Sequence, residues 1–246
     1  MRRRRLGVAW LAMAVAGLAA FAPAAPAQTE AAPYIDAVGD WASSQTLRRA
    51  LPGQSGTGTR KAPTPGAKQP TAKQLATLKF TPSDEVTRRN HARVIANFRP
   101  GHDPATVRAD LTSARATLTG IIRNQFRWDP NHLGDVTAAT ILNAYSQVTD
   151  DFRLSAPGAR IVRLDARRSL AAVAKVRRLT DAAKQTAAEM LELRLIFLLF
   201  DLNRARDTSD VAGQTAGRAA IRAFVQEVFR LDLTKVKLTS RGLVRR

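Results

Sequence analysis

The apolar positions of this chain fall into two regimes, an aliphatic stretch near the start and then, from about residue 81, stripes at helical spacing separated by polar caps. Between Val107 and Ile121 the apolar residues are Val107, Leu111, Ala114, Leu118 and Ile121, a spacing that places them on one face of a helix. A second stripe runs through Leu133, Thr137, Ile141, Tyr145, Val148 and Phe152. Three starts share one grammar, Thr81-Pro82, Asp103-Pro104 and Asp129-Pro130: a residue able to cap free amides, followed by a Pro whose missing N–H costs nothing in the first turn. Pro157 and Gly158 are expected to break the chain before a basic helix over about Leu164 to Arg178. Thr180 or Asp181 caps the next helix, over about 181–206, which is apolar on nearly all sides from Met190 to Leu202 and is expected to be the central element. Ser209 or Asp210 starts a last helix carrying Ile221, Phe224, Val225, Val228 and Phe229. The tail from Leu231 to Val244 alternates Leu233, Val236 and Leu238 with polar residues, which suggests an extended segment packed on the helices, with no partner strand evident. The fold class is therefore all-α: a single orthogonal or up-down bundle of about six helices.

The first 27 residues have the three parts of a secretory signal. Arg2 to Arg5 precede an apolar run from Leu6 to Phe21, and the small-residue site Ala25-Pro26-Ala27 puts cleavage between Ala27 and Gln28. Ala22-Pro23-Ala24 is a competing site, and an uncleaved anchor is the alternative. The apolar run is shorter than the roughly 20 residues a spanning helix needs, and Pro23 and Pro26 follow it. The twin arginines lack the surroundings of a folded-state export signal, so the general route for unfolded chains fits better. Met190 to Leu202 is too short to span and contains Glu192, Arg194 and Asp201, so no transmembrane segment is expected after cleavage. The expected location is the periplasm or the outside of the cell.

Residues 28–79 read as a disordered basic linker. Leu51 to Lys79 holds Pro52, Pro63, Pro65 and Pro70 with four glycines, few large apolar residues, and only positive charges: Arg60, Lys61, Lys68, Lys73 and Lys79. Such a segment buries too little to offset its ordering entropy. Residues 80–246 form the expected helical domain. No internal repeat is evident, so a solenoid is not expected.

Composition removes several chemistries. The 246 residues contain no Cys, which excludes disulfides, thiolate metal sites and a Cys nucleophile. His91, His102 and His132 are the only histidines, and no two stand at a spacing that would put them on one helix face as metal ligands. His132 sits where a helix begins and is expected to cap it. Gly53 to Lys61 lacks the Gly-Lys-Ser/Thr ending of a phosphate loop, and no Ser stands in a Gly-x-Ser-x-Gly elbow. No cofactor is expected.

The carboxylates Asp135, Glu189 and Glu192 would suit general acid–base work if a cleft joined them. Gln185, Glu189, Glu192, Ile196 and Phe200 share one helical stripe that runs into buried positions, which favours capping groups or arginine partners over catalysis.

With 39 Lys and Arg against 20 Asp and Glu, the chain carries a formal charge of +19. That field attracts polyanions and anionic lipid. The candidate contacts are Arg60, Lys61, Lys68 and Lys73 in the linker with Lys235, Lys237, Arg245 and Arg246 in the tail. Neither cluster has the interleaved aromatics on which bases stack, which argues against nucleic acid and toward an anionic envelope surface or polymer. A non-catalytic exported module binding an envelope component is the leading expectation. The rivals are an enzyme acting on envelope polymers through paired carboxylates, and polyanion binding by charge alone.

From about residue 79 to 244 the order of features resembles an uncharacterised family of exported bacterial proteins, a domain of unknown function. The matching residues are the opening Leu78-Lys79-Phe80-Thr81-Pro82-Ser83, the helix with Asn131, Leu133, Asp135 and Tyr145, the pair Gln185 and Glu189, and the ending Leu238-Thr239 followed by Gly242. The chain departs at Leu243, where the resemblance implies Phe; the change keeps an apolar plug. The resemblance implies export and helices and supplies no reaction, ligand or assigned site.

Overall fold

A computed structural model describes residues 70–96 and 103–246. The proposed signal cleavage at Ala27 and Gln28, the linker up to Gln69, and the candidate contacts Arg60, Lys61 and Lys68 lie outside these residues.

The described residues form eight α-helices and one two-stranded hairpin. Six helices are long: α2 (Asp84–Ile95), α3 (Pro104–Gly120), α4 (Leu133–Thr149), α5 (Ala156–Ala172), α7 (Asp181–Asp207) and α8 (Val211–Phe229). Two are short, α1 (Ala72–Ala76) and α6 (Ala174–Arg177). The hairpin is β1 (Val236–Thr239) with β2 (Gly242–Arg245), antiparallel, Leu238 facing Leu243. The all-helical expectation holds, with the small hairpin added at the end.

Local chemistry explains the helix starts. Asp103, Thr180 and Asp210 each accept an amide of the first turn of α3, α7 and α8, worth about 1 kcal/mol apiece. Two expected starts shift. At Thr81-Pro82 the cap is Ser83 and the helix begins at Asp84, while the Thr81 amide donates to the Asp181 carboxylate at 2.9 Å. At Asp129-Pro130 the helix waits until Leu133, and His132 is the cap, its Nδ1 accepting the Gly134 amide at 3.1 Å. Pro157 and Gly158 do not break the chain; Ser155 caps α5, and Pro157 lies in its first turn, where a Pro is tolerated. α4 ends at Thr149 with Asp150 left-handed, so Phe152 is no longer part of its stripe.

The linker boundary also moves. Residues 70–79, assigned to the linker by composition, include α1, whose Thr71 and Gln74 side chains cap each other's backbone, and Leu78, fully buried in the main core. This reciprocal box supplies in two residues what the Pro- and Lys-rich context conceals.

α7 is central as its apolar content predicts. It packs against α2, α3, α4 and α8 and has buried residues on nearly every side from Lys184 to Ile196. The main core lies among α4, α5, α7, α8 and the hairpin, around Leu133, Leu142, Tyr145, Leu170, Leu191, Leu198, Phe224 and Phe229. A smaller core of Val94, Leu111, Leu118, Met190, Leu193 and Ile196 joins α2 and α3 to α7.

The tail is a correction to the sequence reading: its partner strand is its own continuation after the turn at Ser240 and Arg241. The hairpin docks on α5 at Gly158, where an added Cβ would lie 2.1 Å from the Thr239 carbonyl oxygen, and at Gly242, whose φ of +88° admits few other residues. The Tyr145 hydroxyl accepts the Leu238 amide at 3.1 Å and ties β1 to α4.

Candidate functional site

Three groupings of polar residues stand out, two buried and one exposed. The first begins at Asp135, in the first turn of α4 and fully buried. α5 presents Arg163 and Arg167 one turn apart, and both forks grip the same carboxylate: Arg163 Nε at 2.9 Å and Nη2 at 2.7 Å, Arg167 Nη2 at 2.7 Å. The Asp129 amide adds a fifth donor at 2.9 Å. Burial works against ionisation of Asp135, but the two guanidinium forks and this amide outweigh it and hold the carboxyl below the usual aspartate range. Arg163 also lies over the Trp128 ring at 5.3 Å.

His132 borders this group. Its Nδ1 is 3.8 Å from Asp135, which would make an ion pair if the ring were protonated, but the same nitrogen accepts the Gly134 amide. Desolvation decides for the neutral ring and lowers its pKa to about 4, against the pull of Asp135. The capping role expected for His132 is the observed one.

The second grouping lies where α2, α3 and α7 meet. Glu189, fully buried, accepts from Thr87 at 2.7 Å, Asn90 at 2.6 Å, Gln185 at 2.8 Å and Arg115 at 2.8 Å. One turn on, Glu192 pairs with the same arginine at 3.2 Å. Burial pushes Glu192 up to about 7; Arg115 opposes this and Glu189 adds to it. His91 stands beside them, with its Nε2 buried and without a hydrogen-bond partner, and burial lowers its pKa.

The acids singled out by sequence are thus brought into two groups, Asp135 in one and Glu189 with Glu192 in the other, each closed by arginine. The two groups share no hydrogen-bonding or ion-pairing residue. Asp135 and Glu189 are inaccessible to solvent; for Glu189 this agrees with a stripe that runs into buried positions.

The third grouping is exposed and basic. From residue 153 to 178 the chain holds eight Arg or Lys and a single acid, Asp165. Arg153, Arg160, Arg168, Lys175 and Arg178 are all exposed. The sequence points to a basic helix here but to candidate contacts in the linker and the tail. Of its own candidates, Lys73 is exposed on α1, and Lys235 pairs with Asp232 at 3.3 Å. Lys237 and Arg245 are exposed on the hairpin, and Arg246 is tied back through its backbone amide to the Lys235 carbonyl at 2.9 Å. The tail charges therefore sit on folded structure.

Among the described residues no group of three or more His, Asp or Glu is arranged to hold a metal ion, and no helix is long and apolar enough to cross a membrane. The fold and its polar groups define an α-helical bundle with a C-terminal hairpin and a basic exposed helix. The chain belongs to a family of unknown function (DUF6683), whose model matches residues 1–246. No curated protein and no solved structure matches it.

The residues that carry the family resemblance tie the opening segment and the closing hairpin to the helices. Leu78 and Phe80 exchange backbone bonds with Leu133 and Asn131, Leu133 N–H to the Leu78 carbonyl and Phe80 N–H to the Asn131 carbonyl, each at 3.0 Å. Asp181, Lys184 and Gln185 of α7 then take the backbone of Thr81, Lys79 and Ser83. Tyr145, Leu238 and Gly242 fasten the hairpin.

Proposed function

We propose that this chain is an exported, non-catalytic helical module that binds an anionic component of the cell envelope. The observation that carries the reading is the segment 153–178, where eight basic residues face one acid and five of the eight are exposed on a packed framework. Such a surface attracts negative charge and keeps its geometry while doing so. The signal-like first 27 residues supply the export half of the reading.

Acid–base hydrolysis of an envelope polymer asks for two carboxylates facing a solvent-reachable bond. Asp135 and Glu189 are fully buried and held by arginines, so the binding reading fits their placement better.

The test is sedimentation of the mature chain with anionic vesicles and retention on heparin, across a salt series, with intact-mass measurement of the exported protein. The reading expects a mass that begins at Gln28 and binding that falls steeply as salt rises. Retention of Met1 would remove cleavage of the signal, and absence of binding to either anion at low salt would remove the partner class.

A further inference from the structure

The exposed charge of α5 is not evenly spread. Its inward side is the row Val162, Ala166 and Leu170, all buried in the main core. The opposite row, at four-residue spacing, is Arg160, Leu164 and Arg168, and all three are exposed. Leu164 is one of two exposed large hydrophobics among the described residues, 38% accessible, and it stands one turn from an arginine on each side. Arg163 and Arg167 flank this row. Their forks both close on Asp135, so the pair contributes one net positive charge and is anchored to α4 rather than free to swing.

Two other basic elements adjoin α5. The hairpin, whose turn carries the exposed Arg241, docks on its first turns through Gly158 and Ile161. At its other end the chain passes through Val173 into α6, which carries Lys175 and Arg177 and is followed by Arg178.

We propose that the outward row of α5 is a membrane-contact face that takes a bilayer surface of anionic phospholipid. The proposal rests on the anionic-partner reading above and adds the face and the partner's chemistry. A charged polymer offers a match only for the arginines. A bilayer surface offers phosphates for Arg160 and Arg168 and, between the headgroups, an apolar layer for Leu164. A single apolar residue framed by cations on a fixed helix fits the second partner, and the Asp135 anchor keeps the row facing outward.

The test compares three full mature chains, wild type, R160Q/R168Q and L164S, with R60Q/K61Q/K68Q, which removes three positive charges rather than two, as the change outside α5. Binding is measured on vesicles containing phosphatidylglycerol, on neutral vesicles and on heparin. Exposed positions permit these substitutions without loss of fold, which equal helical signal and equal melting temperature verify. Each arginine near an anionic surface is expected to contribute about fivefold, so R160Q/R168Q loses about 25-fold on anionic vesicles. L164S loses about three- to tenfold there and nothing on heparin.

If L164S binds anionic vesicles as wild type does, while R160Q/R168Q weakens vesicles and heparin alike, the partner is a charged polymer and the membrane proposal is overturned. If R60Q/K61Q/K68Q abolishes binding and R160Q/R168Q does not, the face is wrong although the anionic-partner reading stands. If wild type binds neither anion, that reading fails as well.

Discussion

The side-chain amide of Gln185 bonds both backbone groups of Ser83: its Oε1 accepts the Ser83 N–H at 2.8 Å, and its Nε2 donates to the Ser83 carbonyl at 2.8 Å. One residue of α7 thus does at the start of α2 what a neighbouring strand does in a sheet. Ser83 has no side-chain capping bond of its own, so α2 takes its entry from a residue 102 positions away.

Gln185→Leu removes this pairing together with the bond to Glu189, while keeping similar bulk. The segment is half-buried, so water replaces part of the loss, and the expected cost is about 2 kcal/mol. Urea unfolding would measure it. Hydrogen exchange should show the amides of α2 losing protection before those of α4. Uniform loss across both helices would mean that α2 is held mainly by its small apolar core.

Asp135→Asn tests the other polar group. The amide cannot satisfy two guanidinium forks, so Arg163 and Arg167 are left partly buried without their counter-charge. Breaking one side of a buried pair typically costs 3–5 kcal/mol, and the partial exposure of both arginines places the expected loss near the lower figure, about 3 kcal/mol. Replacing all three by apolar residues of similar size should cost less than the single change, because no charge is then stranded. Thermal melting of the two variants distinguishes the outcomes.

Much of the bundle is legible in the sequence because its signals are local. The caps at Asp103, Thr180 and Asp210 and the stripe through Leu111 and Leu118 depend on residues within a turn or two of one another, and they fall where pattern places them. The failures have the opposite character. Ser83 caps α2 through a partner beyond its own neighbourhood, and α1 is a five-residue helix made worthwhile by burial of Leu78 against distant elements. The hairpin's second strand is only four residues long, and its docking depends on Gly158 in α5, which sequence pattern treats as a helix breaker. For the polar groups, the stripe carrying Glu189 and Glu192 points to buried acids that serve as caps or arginine partners, and Asp135 lies outside that stripe. The choice of Arg163 and Arg167 for Asp135, and Arg115 for both Glu189 and Glu192, needs the tertiary contacts.

The position of α1 changes what limited proteolysis should leave. Trypsin is expected to cut first at Arg60, Lys61 or Lys68, where Pro and Gly dominate the sequence. Lys73 lies within α1, and Lys79 is paired with Asp129 at 3.3 Å in the segment bridged to His132. The resistant fragment should therefore begin at Gln69 rather than near Phe80, which mass spectrometry resolves directly. Early cleavage after Lys73 or Lys79 would show that α1 is not held against α5.

The pH dependence of stability should be flatter than either of its two main contributors. His132 is depressed from 6.5 to about 4, so the folded state binds fewer protons there, and its contribution is present above pH 6.5 and lost as pH falls toward 4. Glu192 is raised from 4.5 to about 7, so the folded state binds more protons, and its contribution is present below pH 4.5 and lost as pH rises through 7. Each spans about 3 kcal/mol, and between pH 4.5 and 6.5 they run in opposite directions. His91, also lowered by burial, adds to the His132 side, so wild type should gain slightly across this window. Glu192→Gln removes the opposing contribution and should unmask a stability that climbs by about 2 kcal/mol from pH 4.5 to 6.5. His132→Asn keeps a capping side chain and should unmask a fall over the same window and on to pH 7. Urea unfolding of the three chains at half-unit intervals measures the slopes, and parallel curves for all three would show that neither group titrates with folding.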